Sequence, residues 1–389
     1  MTMNLQISYR LPIKKDVILF YTNQEKNLSE YVLTDISYSV IEPYESLCLH
    51  PKVIFKSFKN FFNKKYTLNH KSSFFSFKTL QNFYEVHLIT YIEFISPKVI
   101  LTTIDDSALF LRISQTYLSA EFIAIQNGMR PACYFKYLLP FSSSVDLKKH
   151  CHTFFCFSQS EKNSFKSNGF DVDKFTPIGS FLGGIHWKNK IFKESVYDIC
   201  YVSQWVDAKK DSHNHDGLKK LFDADILAAK FLEESLVKLI KKKDYSLVVA
   251  LRHKDCEKEL NHFKSIFGKN AHYILSEKEN FSSYHATDTS KLIVNIYSTI
   301  GAEALGVGKK VLFCNGSGDS NIGLPEAGFC YYEGDVYNEF EKKVVKLLTM
   351  NNDEYQKLSS KILPNLMQYT DNKMPHEIIR SKILDTLKI

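Results

Sequence analysis

The stretch Lys291–Asn315, KLIVNIYSTIGAEALGVGKKVLFCN, decides the fold. Its opening run, Leu292 to Ile296, is apolar and rich in β-branched residues, the pattern of a buried strand. Tyr297, Ser298 and Thr299 break the run, and Ile300 to Leu305 supplies one or two helical turns. Gly306 and Gly308 stop the helix, and Val311 to Phe313 starts a second strand. Strand, short polar turn, helix, glycine stop and strand make a βαβ unit. The turn after the first strand of such a unit lies at the carboxyl edge of the sheet, where ligands bind. Ser298 and Thr299 then offer hydroxyls and backbone N–H groups at a helix N-terminus, a natural phosphate position. Glu303, one turn further on, is placed to accept a hydrogen bond from a ribose or sugar hydroxyl. The rival reading is that Ser298 or Thr299 caps the helix and Glu303 is solvated.

Outward from this unit the pattern repeats. Tyr245 to Leu251 reads as a buried strand ending in Arg252, His253 and Lys254, a cationic cluster suited to an anion where turns ordinarily use Gly, Asn or Pro. Asp198 to Val202 is a strand ending in Ser203-Gln204-Trp205, and Gly217 to Lys243 carries a long helical stripe. In the first half, Asp16 to Thr22, Val99 to Ile104, Phe122 to Ile125 and Thr153 to Phe157 are further strands. Two of them end in polar turns, Asp105-Asp106-Ser107 and Gln126-Asn127-Gly128-Met129-Arg130. A carboxylate mounted at a strand end suits a general base, so Asp105 or Asp106 is a candidate. Asp is also a frequent helix cap, and the expectation is that one of the pair caps while the other is free. Arg130 is a candidate anion contact, and Gln126, Asn127, Ser180 and Ser203 are further cleft candidates.

A chain of 389 residues exceeds what one core usually serves, so two domains are expected: residues 1–187 and 197–389, with Lys188 to Glu194 as the linker. The net charge of +7 fits anionic partners. No apolar run approaches bilayer length and the N-terminus lacks a signal-peptide plan, which together point to a cytoplasmic protein. Of eight scattered cysteines, Cys156, Cys200 and Cys314 fall in expected strands and read as buried thiols, and neither Cys151-His152 with Cys156 nor the His213/His215 pair has the further ligands a metal site needs.

One segment stands apart. Val53 to Tyr84 interleaves eight phenylalanines with six lysines, and Phe55, Phe58 and Phe62 follow helical spacing. Rings at an acyl boundary with lysines among headgroups would suit an anionic membrane surface. An ordinary domain face with aromatics inside and lysines solvated is the alternative. Nucleic acid is not expected, because no RNA-binding signature accompanies the segment.

Two α/β halves facing each other across a cleft form a GT-B-like layout of two Rossmann-type domains. The run S-T-x-x-x-E-A-L-x-x-G-K-K-V-L, Ser298 to Leu312, resembles the donor-binding unit of GT-B glycosyltransferases and of sugar-nucleotide 2-epimerases. The order of Asp105-Asp106, His253 and Ser298-Thr299 is similar to three short motifs of bacterial sialyltransferases and Kdo transferases: an acidic pair before Gly, His-Pro, and Ser-Ser/Thr. Here Ser107 replaces the Gly and Lys254 the Pro. The whole chain, TIDDS and IQNGMR included, resembles bacterial surface-carbohydrate biosynthesis proteins. The resemblance implies transfer of a sugar, Kdo or a sialic-acid-like one, from a nucleotide-sugar, a CMP-sugar favoured, to a bacterial surface glycan; a lipid-linked acceptor at the inner face of the cytoplasmic membrane would explain the Phe/Lys segment. The resemblance also implies Asp105 or Asp106 as the acceptor base and His253, Ser298 and Thr299 as holders of the donor phosphate, with Arg252 lending charge. No metal or other cofactor is implied. A sugar-nucleotide epimerase, a polyol-phosphate transferase and a non-catalytic binding scaffold remain as alternatives.

Overall fold

The computed structural model describes residues 6–43, 45–63, 77–138, 149–187, 194–206, 216–254, 256–277, 281–370 and 373–388. Apolar β-branched runs pair as parallel strands, and the intervening amphipathic runs cover both faces. The first sheet has six strands in the order β3-β2-β5-β6-β7-β8. These are β2 (Val17–Phe20), β3 (Tyr38–Ile41), β5 (Val99–Thr102), β6 (Glu121–Ile125), β7 (Lys149–Cys156) and β8 (Phe170–Pro177). The second, also six-stranded, runs β11-β10-β9-β12-β13-β14. Its strands are β9 (Tyr197–Val202), β10 (Leu247–Ala250), β11 (Ala271–Ile274), β12 (Ser290–Asn295), β13 (Lys310–Asn315) and β14 (Tyr331–Glu333). All pairings in both sheets are parallel. Each order reverses direction within the sheet, and such a switch point opens a crevice at the carboxyl ends of the strands. A small parallel pair, β1 (Gln6–Ser8) with β4 (Ser46–Cys48), lies apart.

The expected division of the chain fails at its end. The last helix, Pro375–Leu387, does not close the second domain. Its Ile379, Ile383 and Leu387 are buried with Val17, Leu19, Leu101 and Ile123 on the first sheet. Arg380 donates to the carbonyls of Val32 and Thr34, and Thr386 to Glu121. The period of this helix gives it one apolar stripe, but periodicity carries no address. Two short helices, Asn352–Ser359 and Leu363–Leu366, precede it. Residues 188–193 of the expected linker and the His213/His215 pair lie outside the described residues. Of the eight cysteines, seven are buried and Cys256 is half-buried.

Candidate functional site at the facing strand ends

In the second domain one unforeseen residue organises the edge. Glu259 sits in the first turn of the helix Glu257–Phe267 and is fully buried. Its carboxylate accepts from the Ser203 hydroxyl (2.5 Å), Arg252 N (2.8 Å), His253 N (2.9 Å) and His253 Nδ1 (3.1 Å). Four donors fill what two carboxylate oxygens take. With His253 Nδ1 turned to this carboxylate, Nε2 is left for a ligand. The Arg252 guanidinium is exposed beside it. Ser203, expected as a cleft residue, is instead buried structural support for this turn.

The neighbouring strand end is held in the same way. Gln204 Oε1 accepts from Ile296 N and Tyr297 N (2.9 and 2.7 Å), and Asn295 Oδ1 accepts from Ser298 N (2.7 Å). The Ser298 N–H expected to meet phosphate is therefore taken. The helix Thr299–Gly306 nevertheless starts at Ser298 without a side-chain cap, which corrects the capping alternative. Its first-turn N–H groups keep the partial positive charge of a helix start. Gly301 is required here, since a Cβ would stand 2.4 Å from Asn295 Nδ2.

Thr299 and Glu303 both turn toward the first domain. Thr299 Oγ1 accepts from Met129 N at 2.9 Å. Glu303 is buried, not solvated, and accepts from the Ser180 hydroxyl. Burial pushes its carboxyl up to about 7. It borders a small cavity of about 80 Å³ with Asn23, Gln24, Thr103, Gln126, Asn127 and Ser180. The two edges also touch where Cys133 N donates to Asn321 O and the Tyr137 hydroxyl to Asp319, at 3.0 Å each.

The first-domain edge differs from expectation in three places. Ser107, not an aspartate, caps the helix Ala108–Thr116, its hydroxyl accepting from Phe110 N. Asp105 is fully buried and paired with Arg130 Nη2 at 2.7 Å, with Asn127 N donating to the same oxygen. Desolvation raises its carboxyl to about 6 against the lowering pull of Arg130. Arg130 is thus committed within the protein, over the Tyr134 ring at 4.5 Å, rather than extended to a ligand anion. Its backbone N–H donates to buried Glu161, whose carboxyl burial lifts to about 7. Asp106 is half-buried and accepts from the Tyr134 hydroxyl at 2.9 Å. Gln126 is consumed by Gly128 O and Phe157 N, whereas the Asn127 side chain is exposed.

A cavity of about 600 Å³ lies in the second domain between the helices Asp216–Lys243 and Glu257–Phe267. Gln204 and Trp205 form its wall nearest the strand ends, and the Trp205 ring meets that of His253 edge-on at 5.8 Å.

No curated protein matches the sequence. Solved structures share the fold over nearly the whole chain. UDP-GlcNAc 2-epimerase from Neisseria meningitidis, bound to UDP-GlcNAc, is 17% identical with a TM-score of 0.54, covering 96% of this chain and 99% of its own. The Methanocaldococcus jannaschii enzyme, in complex with UDP-GlcNAc and UDP, is 15% identical with a TM-score of 0.52, covering 96% and 99%. A glycosyltransferase from Rickettsia africae is 13% identical with a TM-score of 0.51, again over 96% and 99%. The architecture is therefore GT-B-like. Residues 123–374 match a family model described as "putative O-antigen biosynthesis protein". That match spans more than half of the sequence, and the chain belongs to this family.

Proposed function

We propose that the protein is a glycosyltransferase of O-antigen assembly, moving a sugar from a nucleotide-sugar onto a growing, lipid-linked glycan at the inner face of the cytoplasmic membrane. The observation that carries the reading is the second-domain edge, where His253 Nε2 and exposed Arg252 after β10, and the Ser298 hydroxyl with an uncapped helix start after β12, lie at the carboxyl ends of strands on either side of β9. Such a set stabilises the negative charge that gathers on a departing nucleotide. In this proposal His253 and Arg252 meet the donor phosphate, Ser298 donates to it, and Thr299 and Glu303 fix the edge against the first domain. Trp205, beside the large cavity, offers an aromatic wall to the base. Asp106 is the acceptor-side carboxylate, because Asp105 is sealed in its ion pair with Arg130. Asn23, Gln24 and Asn127 supply amides to acceptor hydroxyls. These groups carry out the charge stabilisation by themselves, so the proposal includes no metal.

The motif order Asp105-Asp106, His253, Ser298-Thr299 favours a CMP-sugar as donor. The test is a thermal-shift screen with CMP, CDP, UDP and GDP, since a ligand that binds only the folded state raises its melting temperature. The largest shift with CMP supports this donor, and one with UDP removes it. An epimerase is the second reading, favoured by the epimerases that share the fold. Incubation with a nucleotide-sugar alone separates the two. Conversion without an acceptor means an epimerase; sugar transfer only when acceptor is present means a transferase.

A further inference from the structure

The chain's positive charge is not spread evenly. Ten of its 50 Lys and Arg, and none of its 43 Asp and Glu, fall in residues 6–15 and 46–84, so the rest carries 40 basic against 43 acidic residues. The fold brings parts of the two segments together. β1 pairs in parallel with β4, Leu49 N donates to Ser8 O, and the Cys48 thiol reaches Arg10 O. His50 then caps the helix Pro51–Phe62, which packs on the helix Phe77–Ile95.

Both segments expose apolar side chains in regular order. On the helix, Phe55 (75% exposed), Phe58 and Phe62 stand outward at i, i+3 and i+7, and the last two rings stack on each other. Along the extended segment Ile7, Tyr9, Leu11 and Ile13 are all exposed, two residues apart. Exposed Arg10, Lys14, Lys52 and Lys59 flank these side chains. Phe61 is different: it is half-buried against the Phe83 ring. Two rows of exposed aromatic and aliphatic side chains bordered by cations, on segments that the β1–β4 pair links and that carry no carboxylate, match an anionic interface in both its apolar and its charged part.

We propose that this face of the first domain docks on an anionic phospholipid bilayer, with the Phe55, Phe58 and Phe62 rings and the Ile7 to Ile13 side chains at the acyl boundary and the cations among phosphates. The proposal deepens the lipid-linked acceptor reading and rests on it for its purpose, but the docking itself requires neither donor nor acceptor.

Co-sedimentation of the full chain with phosphatidylcholine vesicles, with and without phosphatidylglycerol, tests it. Each engaged cation strengthens binding to charged lipid about fivefold, so the protein pellets with anionic vesicles, much less with neutral ones, and is released by high salt. The triple variant Phe55→Ser, Phe58→Ser, Phe62→Ser loses most of the pelleting. The double variant Lys52→Glu, Lys59→Glu, which changes only exposed side chains, loses the preference for charged vesicles. Wild-type protein left in the supernatant, or variants that pellet as wild type does, overturns the proposal. Tight binding to single-stranded RNA without vesicle binding overturns it in favour of a nucleic-acid face. A nucleotide-induced thermal shift measured on the same samples separates this outcome from failure of the transferase reading: loss of pelleting with the shift intact sinks the membrane face alone.

Discussion

The two facing edges are built from the same fold yet treat charge in opposite ways. In the second domain the buried carboxylate of Glu259 is spent on the protein's own backbone, and the Arg252 side chain and His253 Nε2 beside it are left outward. In the first domain the cation itself is taken in, Arg130 neutralising Asp105, and the groups left at the edge are the amides of Asn23, Gln24 and Asn127 with half-buried Asp106. In the proposed function the second-domain edge meets an anion and the first-domain edge meets hydroxyls. The two sheets differ in strand order beyond the switch point, yet both bring strand ends to the facing edges; in the proposed function the placement of one or two buried charges sets which kind of ligand each side accepts.

The largest effect expected from breaking this contrast comes at Glu259. Glu259→Ala leaves four donors without their acceptor in a buried site, a loss on the order of 3–5 kcal/mol. Denaturant unfolding would register it, and the nucleotide-induced thermal shift should vanish with it. Unchanged stability would mean that the second edge does not depend on an internal carboxylate.

The second effect is a pH dependence. The Glu303 carboxyl is raised by burial from an ordinary 4.5 to about 7. The folded state holds this proton more tightly than the unfolded chain does. The associated stability is present below the ordinary value and is lost as pH rises through about 7. Asp105 and Glu161 are displaced in the same direction. Melting temperatures should fall from pH 5 to pH 8, and Glu303→Gln should flatten that fall by about a few degrees. An equal slope in the variant would remove Glu303 from the account.

Thr299→Val asks how much one contact between the edges contributes. It leaves the Met129 N–H without its acceptor and should cost ~1–3 kcal/mol of stability, read from the same unfolding curves. Ser298→Ala is the mildest change and the sharpest probe. The hydroxyl neither caps the helix nor carries the edge, so melting without ligand should stay within ~0.5 kcal/mol of wild type. Nucleotide affinity, measured by calorimetry, should drop about tenfold. The reverse result would make Ser298 structural.

The alternation of buried strands with helical stripes was legible in the sequence because burial on both faces of a parallel sheet leaves continuous apolar runs, as at Val99 and Leu247. Helix boundaries were legible where caps were chemical, as at Ser158, which accepts from Glu161 N. The positions Arg252, His253, Ser298 and Thr299 at strand ends were legible for the same reason. What could not be read was direction. Nothing in the letters tells that Arg130 folds inward onto Asp105, or that Glu303 faces Ser180 and not solvent. Glu259 was missed because a glutamate in a first helical turn looks like an ordinary partner of the helix dipole. Only its distance of six residues from His253, across a tight turn, hinted at more. On the Phe/Lys segment, helical spacing separated Phe55, Phe58 and Phe62 from the rest, but both Phe58 and Phe61 touch the Phe83 ring, and only the burial of Phe61 distinguished inward from outward rings.

The last helix carries a consequence for how the molecule is made. Its Ile379, Ile383 and Leu387 complete the apolar face that Val17 and Leu19 began more than three hundred residues earlier. During synthesis the first sheet emerges first and is finished last, after the whole second domain has left the ribosome. A single cut near residue 190 therefore cannot yield two sound halves. One product would lack the cover of its sheet, and the other would trail an apolar helix with nothing to cover.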